Sequence, residues 1–210
     1  MTLEVNVSKD VQEWGYEAGP TDAMKIEIGQ VVINHALCDP SLYELFHALS
    51  GIEERPAKIM VRALKIKSGA IVELIKAFHK ARAPDLHVEL SKRITACLTA
   101  YDQLSKARNL IAHWQWSLSD DGANVATTTN FLGMNHGDAS GTKEHSLRSL
   151  KATSWGLMQV NIIISMVAAF VGGSIPDIVR ESAFTAVDSL LAQTQEALLD
   201  IPDISAEELT

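Results

Sequence analysis

Along most of this chain apolar residues recur at intervals of three and four, a period that fits helices and not strands. In the first run Ile28, Val31, Val32, His35, Cys38, Leu42, Leu45, Phe46 and Leu49 keep that spacing straight through Pro40. A proline inside a helix usually breaks it and resets the phase. The unbroken phase predicts one kinked helix, or two nearly coaxial ones, starting after Thr21 or Asp22 and ending at Gly51. The competing arrangement makes Asp39 an N-cap with Pro40 in the first turn. A second helix is expected over 56–82, with Ile59, Leu64, Ile66, Ile71, Leu74, Ile75 and Phe78 inward. A third covers 85–113, with Leu90, Ile94, Cys97, Leu98, Tyr101, Leu104 and Ile111 inward.

After His113 the period changes. Asp120-Asp121-Gly122 is a hairpin-type turn and Val125 to Thr129 favours a strand, so 114–131 reads as a short β excursion. Three glycines make 133–142 a loop expected to be mobile. A fourth helix is expected over 144–171, stopped by Gly172-Gly173, and a fifth over 176–199. The fold class is therefore all-α: four long helices in a bundle, a small β-hairpin or extended insertion after the third, and an extra C-terminal helix. The expected division is an arm at 1–20, the bundle at 21–173, the C-terminal helix at 174–200 and a disordered acidic tail at 201–210.

The 210 residues suffice to bury a core without metals or disulfides. Two cysteines, Cys38 and Cys97, fall on apolar stripes, which favours a reducing, cytoplasmic compartment over a disulfide framework. The acidic first residues do not read as a secretory signal. Residues 156–175 are long enough to span a bilayer, but Gln159, Asn161 and Ser165 interrupt them, so a buried core helix is expected and no membrane. The net charge of −8 is unevenly spread: residues 55–108 carry twelve Lys and Arg against four acids, a local excess of +8. Either that segment meets a polyanion, or the two parts neutralise each other across the fold.

One run carries chemistry: Arg108-Asn109-Leu110-Ile111-Ala112-His113, closing the third helix. Arg108 lies on the stripe of Tyr101 and Leu104, where an arginine needs a partner or a ligand. Asn109 and His113 are at i and i+4 and share a face. Arg108 and His113 are roughly 140° apart on an ideal helix, so they converge only if the last turn loosens or a second surface folds over the helix end. Alternatively Arg108 pairs with Glu73 or Asp39, and His113 interacts with the helix dipole. Tyr101, Leu104, Trp114 and Trp116 are candidates for a two-fold contact.

An arginine followed by a polar residue, four residues between arginine and histidine, and a position at the end of a long bundle helix together resemble the HEPN superfamily (higher eukaryotes and prokaryotes nucleotide-binding domains). Asp39 and Leu42-Tyr43-Glu44-Leu45-Phe46 in the first helix look similar too, and the resemblance covers about 150 residues. It implies a HEPN-like homodimer acting as a metal-independent endoribonuclease on RNA, in bacterial defence or stress, including toxin–antitoxin settings with a cognate inhibitor protein. The implied catalytic residues are Arg108, Asn109 and His113, with Lys106 and Arg108 binding RNA. Such chemistry suits the residues: an imidazole titrates near neutrality and can move the proton of a ribose 2′-hydroxyl, and a guanidinium can grip a phosphate. The products would be a 2′,3′-cyclic phosphate and a 5′-hydroxyl. Asp102 lies upstream as a secondary candidate. The alternative is a non-catalytic helical module that binds or dimerises with a protein or nucleotide partner.

Other chemistries find no foothold. The remaining histidines show no metal-ligand pair on one helical face with a partnering carboxylate, so no metal and no cofactor is expected. Neither a Gly-rich phosphate loop nor a serine or cysteine nucleophile signature is present.

Overall fold

The computed structural model describes residues 20–113, 115–118, 125–129 and 141–202. Among them six helices carry the fold: α1 (Asp22–Ser50), α2 (Glu54–Ala63), α3 (Ser68–Arg82), α4 (Val88–His113), α5 (Leu147–Val171) and α6 (Arg180–Leu199). Three short strands, β1 (Gln115–Leu118), β2 (Val125–Thr129) and β3 (Thr142–Ser146), stand between α4 and α5. An all-α bundle with a small β insertion and a C-terminal helix is the architecture that the periodicity predicts.

α1 is one helix of 29 residues. Thr21 caps it by accepting from the N–H of Met24 at 3.4 Å, and Gly51 closes it in the left-handed region at φ 66°. Pro40 lies inside without ending it. Packing explains why: Cys38, Leu42, Leu45 and Phe46, on both sides of the proline, are fully buried. Pro40 has no N–H to offer the carbonyl of Ala36, however, and that carbonyl lacks its helical donor.

α1 and α5 run parallel along a seam with polar positions. Asn34 donates to the Ser154 carbonyl at 2.9 Å, and Ser41 bonds Asn161 at 2.6 Å and Ser165 at 2.7 Å. On its other side α5 meets α6, where Gln159 donates to Gln193 at 2.8 Å. α5 is long and apolar enough, by length and composition, to cross a membrane, yet half of its most apolar window is buried inside the bundle. Its polar residues are answered by neighbouring helices, as a core helix requires. Gly156 lets α4 approach: a Cβ there would stand 2.9 Å from a methyl of Leu104. Leu104 and Tyr101 are buried within the chain, which removes both from the expected two-fold contact. Ile26, Ile33 and Leu37 on α1 and Trp155 and Ile162 on α5 stay exposed beside the seam.

The expected second helix is two. α2 ends at Ala63, Lys65 takes a positive φ of 50°, and α3 begins at Ser68. The break resets the phase, so Ile59 and Leu64, expected inward, are 59% and 67% exposed. β3 is a second departure, since 142–146 were expected as loop and helix start. Thr142-Lys143-Glu144-His145-Ser146 lacks apolar alternation and forms a strand by pairing antiparallel with β2. Ser146 then starts α5 through a reciprocal cap with Ser149, both bonds at 3.0 Å. The arm, the Asp120-Asp121-Gly122 turn, most of the glycine loop and the acidic tail past residue 202 lie outside the described residues.

The sheet packs onto the main core through Ala126 and Trp116. The His145 ring lies 5.2 Å from that of Trp116, and its Nε2 shares a 2.9 Å hydrogen bond with Thr128. Burial, helped by Lys143, pushes the pKa of His145 down to about 4. Folding therefore disfavours the protonated ring. The stability tied to its neutral form is fully present above its unfolded pKa near 6.5 and is lost as pH falls towards about 4. Thermal melts should drop steeply across that window in the wild type and less steeply in His145→Gln; identical slopes would remove His145 from the account.

Candidate functional site

α1, α3 and α4 leave a cleft of about 1150 Å³ between them. α4 turns Tyr101, Ser105 and Arg108 towards it, residues spaced so that successive turns present one face. α1 contributes His35 and Asp39, four apart, and α3 contributes its first turn at Ser68-Gly69. Asn109 and His113 stand in the same lining.

The three catalytic candidates meet. Arg108 Nη1 donates to Asn109 Oδ1 at 3.1 Å and contacts His113 Nε2 at 3.3 Å. The helix runs unbroken to His113, so no loosened turn was needed. The reach of the arginine side chain closes the 140° gap instead. A guanidinium only donates, so this contact requires His113 Nε2 to be an unprotonated acceptor. Asn109 and His113 are exposed, and Arg108 is half-buried.

Arg108 has no carboxylate partner among the described residues. Asp39, one expected partner, accepts from Ser68 Oγ at 2.6 Å. Glu73, the other, pairs with Lys76 at 2.8 Å, and Lys76 also holds Asp102 at 2.8 Å. Arg108 Nε is buried with no hydrogen-bond partner, a desolvation cost of roughly 1–3 kcal/mol when unrelieved. Lys106 is not brought to the site: it lies two residues before Arg108, about 200° around the helix, and does not line the cleft.

The sequence placed His35 on the apolar stripe; the structure places it in the cleft. Its Nε2 is 3.1 Å from Ser105 Oγ and 3.2 Å from the Tyr101 hydroxyl, and its ring stacks on Tyr101 at 5.7 Å. Burial first, then the nearby Arg108 charge, lowers its pKa, against a smaller opposing effect of Asp39. Burial likewise pushes the Tyr101 phenol up to about 12, so it stays a neutral hydroxyl. The signal available in the sequence was the i, i+4 pairing of His35 with Asp39 on one face.

The end of α4 is anchored from the sheet. Trp116 Nε1 donates to the Ile111 carbonyl at 2.9 Å, satisfying one of the open carbonyls of the last turn. Trp116 thus packs on the chain's own core and is not a free stacking platform. No group of three or more metal-ligating side chains occurs among the described residues.

If Arg108 sits beside His35 as described, Arg108→Ala should raise the His35 titration midpoint towards its ordinary value without reaching it, because burial remains. Asp39→Asn should lower it. Ring-proton NMR across pH 4–8 reads both, and a midpoint indifferent to Arg108 would contradict the arrangement.

No protein-family model, no curated protein and no solved structure matches this chain.

Proposed function

We propose that the cleft binds RNA and that Arg108, Asn109 and His113 cleave it without a metal, in the manner the HEPN resemblance implies. The observation that carries this reading is the 3.3 Å contact between Arg108 and His113 at an open cleft, with no carboxylate claiming the guanidinium among the described residues. A scissile phosphate draws Arg108 onto its oxygens, where a bidentate contact is stronger than the bond to a neutral imidazole. That releases His113 Nε2 to take the proton of the ribose 2′-hydroxyl. The 2′-oxygen attacks phosphorus, the bond to the 5′-oxygen breaks, and a 2′,3′-cyclic phosphate and a 5′-hydroxyl result. Arg108 stabilises the charge that develops on the phosphoryl oxygens, and Asn109 orients Arg108.

In-line displacement needs an acid opposite the base to protonate the leaving oxygen. A second copy's imidazole fills that position when two clefts face each other, which is the role of the proposed homodimer. The exposed apolar stripe beside the α1–α5 seam is not the surface for this: Leu37 and His35 are about 200° apart around α1, so pairing there leaves the clefts apart. The free, buried Cys38 and Cys97, both with pKa values raised to about 12 by burial, fit a reducing cytoplasmic setting. A defence or stress role and an inhibitor partner belong to the same proposal.

Purified protein incubated with mixed RNA in EDTA should yield 2′,3′-cyclic phosphate ends. His113→Ala and Arg108→Ala should each lower the rate by roughly 10²–10⁴-fold while melting normally, and sedimentation should show a dimer. Cleavage absent at every protein concentration, with RNA still bound, would leave a non-catalytic nucleotide-binding module in place of the enzyme.

A further inference from the structure

The cleft is chemically lopsided. At the end formed by α4 it offers donors: the Arg108 guanidinium, its Nε buried and unpartnered. Along α1 it offers acceptors. The Asp39 carboxylate receives one hydroxyl, from Ser68, and no Lys or Arg among the described residues lies within ion-pair distance of it. One turn earlier is the Ala36 carbonyl, left without its helical donor by Pro40, and Ala36 and Pro40 both line the cleft. Between the two ends stand His35, stacked on Tyr101, and Tyr43.

A guest that satisfies this cleft carries an anion at one end, a flat ring in the middle and two adjacent N–H donors at the other. Among nucleobases guanine presents such an edge, with N1–H beside the N2 amine. Adenine and cytosine each set one amine beside a ring acceptor, and uracil flanks its single N–H with two carbonyls that a carboxylate repels. Unstacked bases in single-stranded RNA are read in this way, by stacking on aromatic side chains and hydrogen bonds to their Watson–Crick edges.

We propose that Asp39 and the Ala36 carbonyl form a base-reading subsite selective for guanine, placing a guanosine nucleotide with its phosphate at Arg108. This rests on the reading of Arg108 as a phosphate ligand and adds the base identity to it. Asp39 is a specificity-determining residue here and takes no part in bond breaking.

Calorimetric titration with GMP, IMP, AMP, UMP and inorganic phosphate separates the two layers. Wild-type protein should bind GMP at least tenfold more tightly than AMP or UMP, with IMP, which lacks the N2 amine, in between. Asp39→Asn should erase the GMP preference while leaving AMP and phosphate affinities unchanged. Arg108→Ala should weaken all five ligands. Thermal melts of both variants confirm that they fold. Equal affinity for all four nucleotides, weakened by Arg108→Ala, overturns the guanine subsite and leaves the phosphate site standing. An absence of binding by any ligand, unaltered by Arg108→Ala, overturns the phosphate site and the guanine subsite with it.

Discussion

A single indole bond, from Trp116 to the carbonyl of Ile111 at 2.9 Å, fixes the end of α4 against the sheet. Everything proposed for the site depends on that helix end staying wound through His113. A frayed last turn would carry His113 away from Arg108 and leave the guanidinium without its contact. The tether is itself held from below, since Trp116 packs on His145, His145 bonds Thr128, and β3 leads directly into the capped start of α5. The small sheet is thus a brace between the end of α4 that carries Arg108 and His113 and the most buried helix of the bundle.

Electrostatics gives the site its contrast. Part of the basic charge of residues 55–108 is spent on local or cross-fold pairs. Lys58 meets Glu54, Lys76 bridges Glu73 and Asp102, and Lys92 meets Glu89. Arg93 grips Asp188 on α6 through two bonds, at 2.9 and 2.6 Å, while lying over the Phe184 ring. Arg82 donates to the carbonyls of Ala48 and Leu49 at the end of α1. Such exposed pairs add little stability each, and among these only Arg93–Asp188 ties the basic segment to the acidic C-terminal part. Arg108 differs from the other cations in its burial: its Nε is enclosed without a hydrogen-bond partner, and no acid meets it among the described residues.

How much of this the sequence disclosed varies by element. The unbroken spacing across Pro40 foretold a continuous α1, because burial on both sides of the proline outweighs one lost hydrogen bond. The break between α2 and α3 was hidden: apolar residues continue through 64–66, and only a positive φ at Lys65, a residue type that does not advertise it, interrupts the helix. β3 was hidden because its polar residues become a strand through pairing with β2 and not through their own pattern. At the site, Arg108, Asn109 and His113 were legible as a motif, while their convergence depends on side-chain reach that spacing rules do not capture. His35 and the Ala36 carbonyl had local signals in Asp39 and Pro40, each four residues on, but their place in a cleft with Ser68 emerges only when α1, α3 and α4 are brought together.

In the proposed site Arg108 and His113 share one phosphate guest. A structure determined with a short single-stranded oligonucleotide lacking the 2′-hydroxyl at the cleavage position, and so uncleavable, tests it most directly. In the complex a phosphate oxygen should lie within hydrogen-bond distance of the Arg108 guanidinium, with the ribose 2′-carbon facing His113 Nε2. An oligonucleotide seated elsewhere, with Arg108 still bonded to Asn109 and His113 as in the free chain, would contradict it.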